Sequence, residues 1–360
     1  MAVSLFASSL DAYKPRLTEV LAEVVDGGRY ILGPEVEAFE EEFARYLGAR
    51  HCVGVGNGTD AITIALRALG VKPGDEVVCP SFTFYATVEG AVNAGATPVY
   101  CDIDPHTFCV TPETVRAAMT PRTKAIVAVN LFGNVAPIPD LRELGVPVLE
   151  DSAQAAGARL GDRRAGALGD AATFSFFPSK NLPCLGDGGA VVTDDDEVAR
   201  LARRLRFHGS DDKKTFLEVG YNSRLDEMQA AVLRILLPEL DGWNAARRGA
   251  AEAYERQGLG RYAALPEAAP GAEHVYHLYV VRHEHADDLR DALSARDIGA
   301  RAYYRVPTHL QPATAGYAPA GPELPGTDEA ARTHLALPMG TQLSEDSVRE
   351  VVDACASGST

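Results

Sequence analysis

The chain has 360 residues, 46% hydrophobic and 23% charged, an ordinary globular composition with length enough for one large core and a smaller one. Its 34 basic and 50 acidic side chains leave a formal net charge of −16, which argues against nucleic acid or an anionic membrane surface as partner. The 6 cysteines show no Cys-x-x-Cys and no ligand-like spacing with histidine, and neither a signal peptide nor a run of about 20 apolar residues is visible. Reduced thiols, no metal site and a cytoplasmic location are therefore expected.

In chain order, residues 34–47 place Val36, Phe39, Phe43 and Leu47 on one helical stripe, and residues 59–69 repeat the pattern with Ile62, Leu66 and Leu69. β-Rich runs follow at 76–79, 97–101, 124–130, 146–149, 171–177 and 189–193, with connections long enough for helices between several of them. That alternation reads as an α/β domain around a mainly parallel sheet. An amphipathic stretch at 224–258, broken at Pro238, leads to a tail with a strand-like run at 274–281 and helical patterns at 285–295 and 344–355. The expected division is a large domain over residues 1–240 and a small α+β domain over 241–360.

Four stretches carry chemistry-bearing residues. Gly56-Asn57-Gly58-Thr59-Asp60 precedes a helix, where free backbone amides and the helix dipole suit an anion; a plain capped helix explains the same residues. Pro80–Tyr85 closes a strand with aromatics able to stack on a flat ring or simply to pack. Asp151 follows the 146–149 run, and Lys180 lies 29 residues further on, in an aromatic, glycine-rich stretch unlike a solvated helix face. Both fall where sites form in open α/β sheets, beyond strand carboxyl ends. An amine and a carboxylate facing one cleft are the minimum needed to hold pyridoxal phosphate. Residues 203–214 form a basic cluster, suited to an anionic substrate or to a solvated helix end.

Gly-Asn-Gly-Thr-Asp-Ala, Gly-Asp-Glu-Val-Val-x-Pro-Ser-Phe-Thr-Phe, Glu-Asp-Ser-Ala-Gln, Ser-Phe-Phe-Pro-Ser-Lys-Asn and Gly-Tyr-Asn-Ser-Arg-Leu-Asp-Glu-Met-Gln-Ala-Ala stand in order between about residues 28 and 345. Together they resemble the DegT/StrS-type nucleotide-sugar aminotransferases. The resemblance implies the aspartate-aminotransferase fold (fold type I), pyridoxal 5′-phosphate, and a homodimer with active sites shared between subunits. It implies Lys180 as the cofactor lysine and Asp151 as the partner of the ring nitrogen. Gln154 would lie beside the ring, Phe84 would stack on it, and Gly58, Thr59 and Ser175 would cradle the phosphate. Asn222 would reach the phosphate of the neighbouring subunit, while His208, Arg224, Tyr304, Arg305 and His309 fall in segments near the sugar substrate. Arg305 departs from the family pattern, which commonly has proline there.

The implied reaction moves an amino group from L-glutamate to a nucleoside-diphosphate keto-sugar. The 208–214 and 222–227 segments look most like members acting on C3 of dTDP-3-keto-6-deoxyhexoses. The Lys180 motif is also similar to enzymes of UDP-3-keto-N-acetylhexosaminuronates, and C4 aminators share most of the site. Sugar dehydratases of the same superfamily place histidine where Lys180 stands, which argues against that class. A cofactor-binding regulator on the same fold is a further class, since a fold does not prove turnover.

Overall fold

The computed structural model describes residues 3–317 and 323–358. Seven strands build the central sheet: β1 (His51–Val55), β2 (Glu76–Pro80), β3 (Thr97–Cys101), β4 (Thr123–Val129), β5 (Val148–Asp151), β8 (Ala171–Ser175) and β9 (Gly189–Thr193). Their order is β1-β9-β8-β5-β4-β2-β3, and only β9 runs against the rest. The two-residue strands β6 (Arg159–Leu160), β7 (Arg163–Arg164) and β10 (Ala272–Glu273) form a ribbon, and β11 (Tyr279–Arg282) pairs with β12 (His334–Leu337) in a second small sheet.

Helices cover both faces, as the right-handed crossovers of parallel strands require. They run α1 (Lys14–Gly27), α2 (Pro34–Leu47), α3 (Gly58–Ala68), α4 (Ala86–Asn93), α5 (Pro112–Ala118), α6 (Ile138–Arg142), α7 (Asp196–Arg206) and α8 (Glu227–Leu236). After a one-turn 3₁₀ segment at Leu237–Glu239, α9 (Leu240–Arg256) carries the chain to the second unit with α10 (Ala286–Ser294), α11 (Pro325–Thr333) and α12 (Glu345–Gly358). The period-2 alternation of strands divides the core. On β9, Val191 joins the cluster beneath α3, whereas Ala190 and Val192 join the cluster that takes the α2 stripe of Val36, Phe39, Phe43 and Leu47.

Local chemistry sets the ends of these elements. Helix α2 starts with Pro34 at its first turn, and the buried Glu227 carboxylate accepts from the amides of Gly33 (2.7 Å), Glu35 (3.0 Å) and Val36 (3.0 Å). It ends at Gly48 in the left-handed conformation. The chain's first described residues belong with the second unit, Val3 bridging to Ile298 and Phe6 to Met339. Among the described residues, no helix is long and apolar enough to cross a membrane.

Candidate active site

Asp151 is the last residue of β5 and Ser175 the last of its parallel neighbour β8, so both lie at the same, carboxyl edge of the sheet. Lys180 follows β8 in a tight loop held by its own amide, which donates to the Phe177 carbonyl at 2.8 Å. These residues border one cavity of about 650 Å³, which also takes in Gly58, Thr59, Phe84, Gln154 and Tyr304.

The Asp151 carboxylate is oriented by two donors, the Thr87 hydroxyl at 3.0 Å and the Ala153 amide at 3.2 Å. Burial pushes its pKa above the ordinary aspartate value, against the pull of those two donors and of the Lys180 charge. Among the described residues, the Lys180 amine has no hydrogen-bond or ion-pair partner. Burial brings its pKa down to about 8, with the Asp151 charge working the other way. Burial thus works against the charged form of each group, while each charge helps to stabilise the other.

Gln154 is fixed at both ends: its carbonyl accepts from the Phe132 amide at 2.7 Å and its amide donates to the Tyr304 hydroxyl at 3.1 Å. Tyr304 in turn stacks on Phe132, ring centroids 5.8 Å apart. Phe84 stands at the cavity with 57% of its surface exposed, a large apolar ring.

An anion cradle closes the other end. Asn57 caps α3, its side chain accepting from the Asp60 amide at 2.8 Å, which leaves the amides of Gly58 and Thr59 for an anion. Close approach explains the glycines. A Cβ at Gly58 would lie 2.8 Å from the Ser175 side chain, and one at Gly189 would lie 2.5 Å from the Asn57 backbone.

The family model described as the DegT/DnrJ/EryC1/StrS aminotransferase family matches residues 12–356. The chain belongs to that family. It is 49% identical to dTDP-3-amino-3,4,6-trideoxy-alpha-D-glucose transaminase of Streptomyces venezuelae, covering 93% of this chain and 89% of that protein. It is 44% identical to a pleiotropic regulatory protein of Geobacillus stearothermophilus, covering 95% and 94%. Among solved structures it resembles S. venezuelae DesV in complex with a ketimine intermediate, with a TM-score of 0.93, 45% identity and coverage of 98% and 96%.

The DegT/DnrJ/EryC1/StrS aminotransferases use pyridoxal phosphate, and the residues present here fit that group. The α3 amides with Ser175 suit its phosphate, Phe84 suits its ring face, Asp151 suits its nitrogen, and the unpartnered Lys180 amine suits its carbonyl. Lys180, Asp151, Gln154, Gly58, Thr59, Ser175, Phe84 and Tyr304 therefore come together at one cavity of this aminotransferase.

His208, Arg224, Arg305 and His309, expected near the substrate, do not border that cavity, and neither does Asn222, whose expected place is the neighbouring subunit's site. Asn222 and His208 are exposed, and Asn222 accepts from Arg224, whose guanidinium also lies 5.7 Å from the Phe207 ring centroid. Arg305 is drawn instead to Asp287 at 2.8 Å and to the Ala331 carbonyl at 3.3 Å, so its charge is met within the second unit. His309 is turned onto Ser81, its Nδ1 2.5 Å from the hydroxyl. The basic cluster is largely spent internally: Arg206 pairs with Glu40, and Arg204 with Asp211 at 2.6 Å.

Other residues at the site escaped sequence reasoning. Thr87 lies one turn beyond the aromatic strand end, and only its hydroxyl type hinted at a role. His277 is buried at the cavity, and its Nδ1 has no partner. Burial holds its imidazole well below the ordinary range, helped by the Lys180 and Arg247 charges. A histidine facing inward in the apolar 274–281 run was the available signal.

Proposed function

We propose that this aminotransferase moves an amino group from L-glutamate to a keto-sugar carried on a nucleoside diphosphate, with C3 of a dTDP-3-keto-6-deoxyhexose as the acceptor carbon. The observation that carries the reading is the unpartnered Lys180 amine, its pKa about 8, sharing a buried cavity with Asp151. The acceptor rests on the likeness to the S. venezuelae transaminase.

Pyridoxal phosphate, when bound, supplies the carbonyl that takes up the amine and the electron sink that stabilises a carbanion. With its pKa brought down to about 8, Lys180 Nζ sheds its proton far more readily than a free lysine and, once neutral, can accept the proton leaving the donor's α-carbon and return it to the sugar carbon. A lysine at its ordinary value of 10.5 would be almost wholly protonated at physiological pH. Asp151, oriented by Thr87 and Ala153, would hold the proton of the cofactor's ring nitrogen. Gln154, clamped between Phe132 and Tyr304, would lie against the ring's edge.

We infer further that two copies of the chain assemble, each completing the other's site. Exposed Asn222 stands off its own cavity and beside the apolar 216–219 segment, where Phe216 is 61%, Leu217 57% and Val219 85% exposed. Buried cysteines suit a reducing cytoplasm. The test is the visible spectrum of the purified protein before and after L-glutamate, followed by a panel of dTDP- and UDP-keto-sugars. Loss of the cofactor's visible band, then amination of a dTDP-3-keto-sugar, is the expected result. A protein that takes up the cofactor's colour yet neither loses it with L-glutamate nor aminates a keto-sugar would match the cofactor-binding regulator reading that the G. stearothermophilus relative supports. One that stays colourless with added pyridoxal phosphate would overturn the enzyme reading.

A further inference from the structure

The Thr87 hydroxyl that meets Asp151 is itself met by another. Thr87 lies in the first turn of α4, and Thr83, four residues earlier, brings a second hydroxyl to 3.1 Å from the first. Thr83 is 2% and Thr87 1% exposed, so their contact is out of bulk water. Both border the 650 Å³ cavity with Asp151 and Lys180, as does Phe84, the residue after Thr83.

Proton counting fixes the direction of this chain. A threonine hydroxyl has one proton to give and two lone pairs to receive. An ionised carboxylate can only accept, so the Thr87 proton is spent on Asp151 Oδ2, at 3.0 Å. At the other contact Thr87 can then only accept, and Thr83 must be the donor. The order is therefore Thr83 to Thr87 to Asp151, running from the loop after β2 through α4 to β5. Hydrogen bonds in series polarise one another, and this series ends on a charge. The Ala153 amide, 3.2 Å from Oδ1, donates independently of the threonines.

The direction matters because the carboxylate and the cofactor's ring nitrogen compete for one proton. Each donor to the carboxylate weakens its claim on that proton and leaves the nitrogen cationic. Burial works in the opposite sense, favouring the neutral acid. Two hydroxyls in series thus oppose burial at the one acid of the cavity where charge is needed.

We propose that Thr83 is a positioning residue of this aminotransferase: it donates to Thr87, directs the Thr87 proton onto Asp151 Oδ2, and so keeps Asp151 the anionic partner of the cofactor's ring nitrogen. The inference rests on the reading of Asp151 above and adds a residue that acts on the cofactor through two others.

The test compares Thr83→Val, Thr87→Val and the double variant, valine keeping the branched shape without the hydroxyl. In the holoenzyme with L-glutamate alone, loss of the visible band should slow about tenfold in Thr87→Val, the scale of one charge-assisted hydrogen bond. Thr83→Val should slow it about threefold, the share one bond in series lends the next. Thr83→Ser should restore the wild-type rate. Adding Thr83→Val to Thr87→Val should change nothing further, because the first hydroxyl acts only through the second. In the cofactor-free protein, carbon NMR of labelled aspartate, assigned with Asp151→Asn, reads the carboxyl itself. Its titration midpoint should move up in Thr83→Val, further up in Thr87→Val, and no further in the double variant. Lys180, Cys79 and Tyr304, whose charges reach Asp151, are the same in every variant.

An unmoved midpoint in Thr83→Val, or independent and additive shifts from the two threonines, would overturn the relay. If Thr83→Val does not fold, neutron diffraction from wild-type crystals decides instead. The Thr83 deuteron should point at Thr87 Oγ1, and a deuteron pointing elsewhere would overturn the proposal. A wild-type band that ignores L-glutamate would overturn the transaminase reading, while the cofactor-free titration still judges the relay.

Discussion

Two adjacent carboxylates on β5 point to opposite faces of the sheet and meet opposite fates. Glu150 is saturated: it accepts from the amides of Gly166 (2.6 Å), Leu168 (3.1 Å) and Gly169 (3.2 Å), from Asn130 (2.9 Å) and from Ser152 (3.2 Å). Asp151 has two donors and opens on the cavity that holds Lys180. Burial raises both acids above the ordinary range, so burial alone does not tell them apart. What differs is how much of the compensation the fold supplies. At Glu150 the loop 164–169 supplies it, and the group is structural; at Asp151 most of it is left for a ligand.

The cavity side should therefore fail in function, and Lys180→Ala is its hardest break. Sustained turnover with L-glutamate and a keto-sugar nucleotide should fall about 10⁴-fold or more, because the variant loses both the amine that holds the cofactor and the proton carrier. Coupled product assays over many turnovers check this, and multiple turnovers in the absence of added amines would sink the role of Lys180. Asp151→Asn comes next. It keeps the shape and the Thr87 contact but cannot hold a proton on the ring nitrogen, so turnover should drop by about 10²–10³. Its melting temperature in the cofactor-free state should not fall, since a buried charge with an incomplete set of donors is being removed.

The opposite face should fail in stability. Glu150→Ala orphans the amides of Gly166, Leu168 and Gly169, at a cost of about 3 kcal/mol or more by chemical denaturation. Activity per folded, loaded molecule should stay close to wild type. A variant that denatures like wild type but loses turnover would erase the distinction between the two carboxylates.

How much of this contrast can be read in the chain depends on distance along it. The stripe of α2 and the run of parallel strands are local patterns, and the alternation places Asp151 and Lys180 at strand ends without any long-range knowledge. Strand β1, a five-residue His-Cys-Val-Gly-Val, has no alternation to announce it and is fixed by its pairing with β9. The reversed direction of β9 is likewise set by tertiary pairing that no local period encodes. At the site, residues carried by motifs come together, whereas Thr87 and His277 reach it only through tertiary packing, from α4 and from the segment before β11. Arg305 and His309 show the converse: each lies in a suggestive segment, yet a neighbour in space, Asp287 or Ser81, takes up its polar group.

The smallest expected effect is a titration that only one of the two carboxylates should feel. In the cofactor-free protein the Lys180 ammonium titrates at about 8, below its ordinary 10.5. Between those values the unfolded chain keeps a proton that the folded chain has shed, so this group makes stability rise with pH across that window. Tyrosines and cysteines raised by burial act the other way, but they do so equally in Lys180→Met, and the wild-type-minus-variant difference isolates the lysine. Denaturation midpoints from pH 7 to 10.5 should show wild type gaining on the variant. Asp151→Asn should extend the gain to lower pH, because the carboxylate that holds the proton on Lys180 is gone. Glu150→Gln, on the far face, should leave the window where it is. If both substitutions moved it equally, the sheet would not be separating a structural acid from a catalytic one.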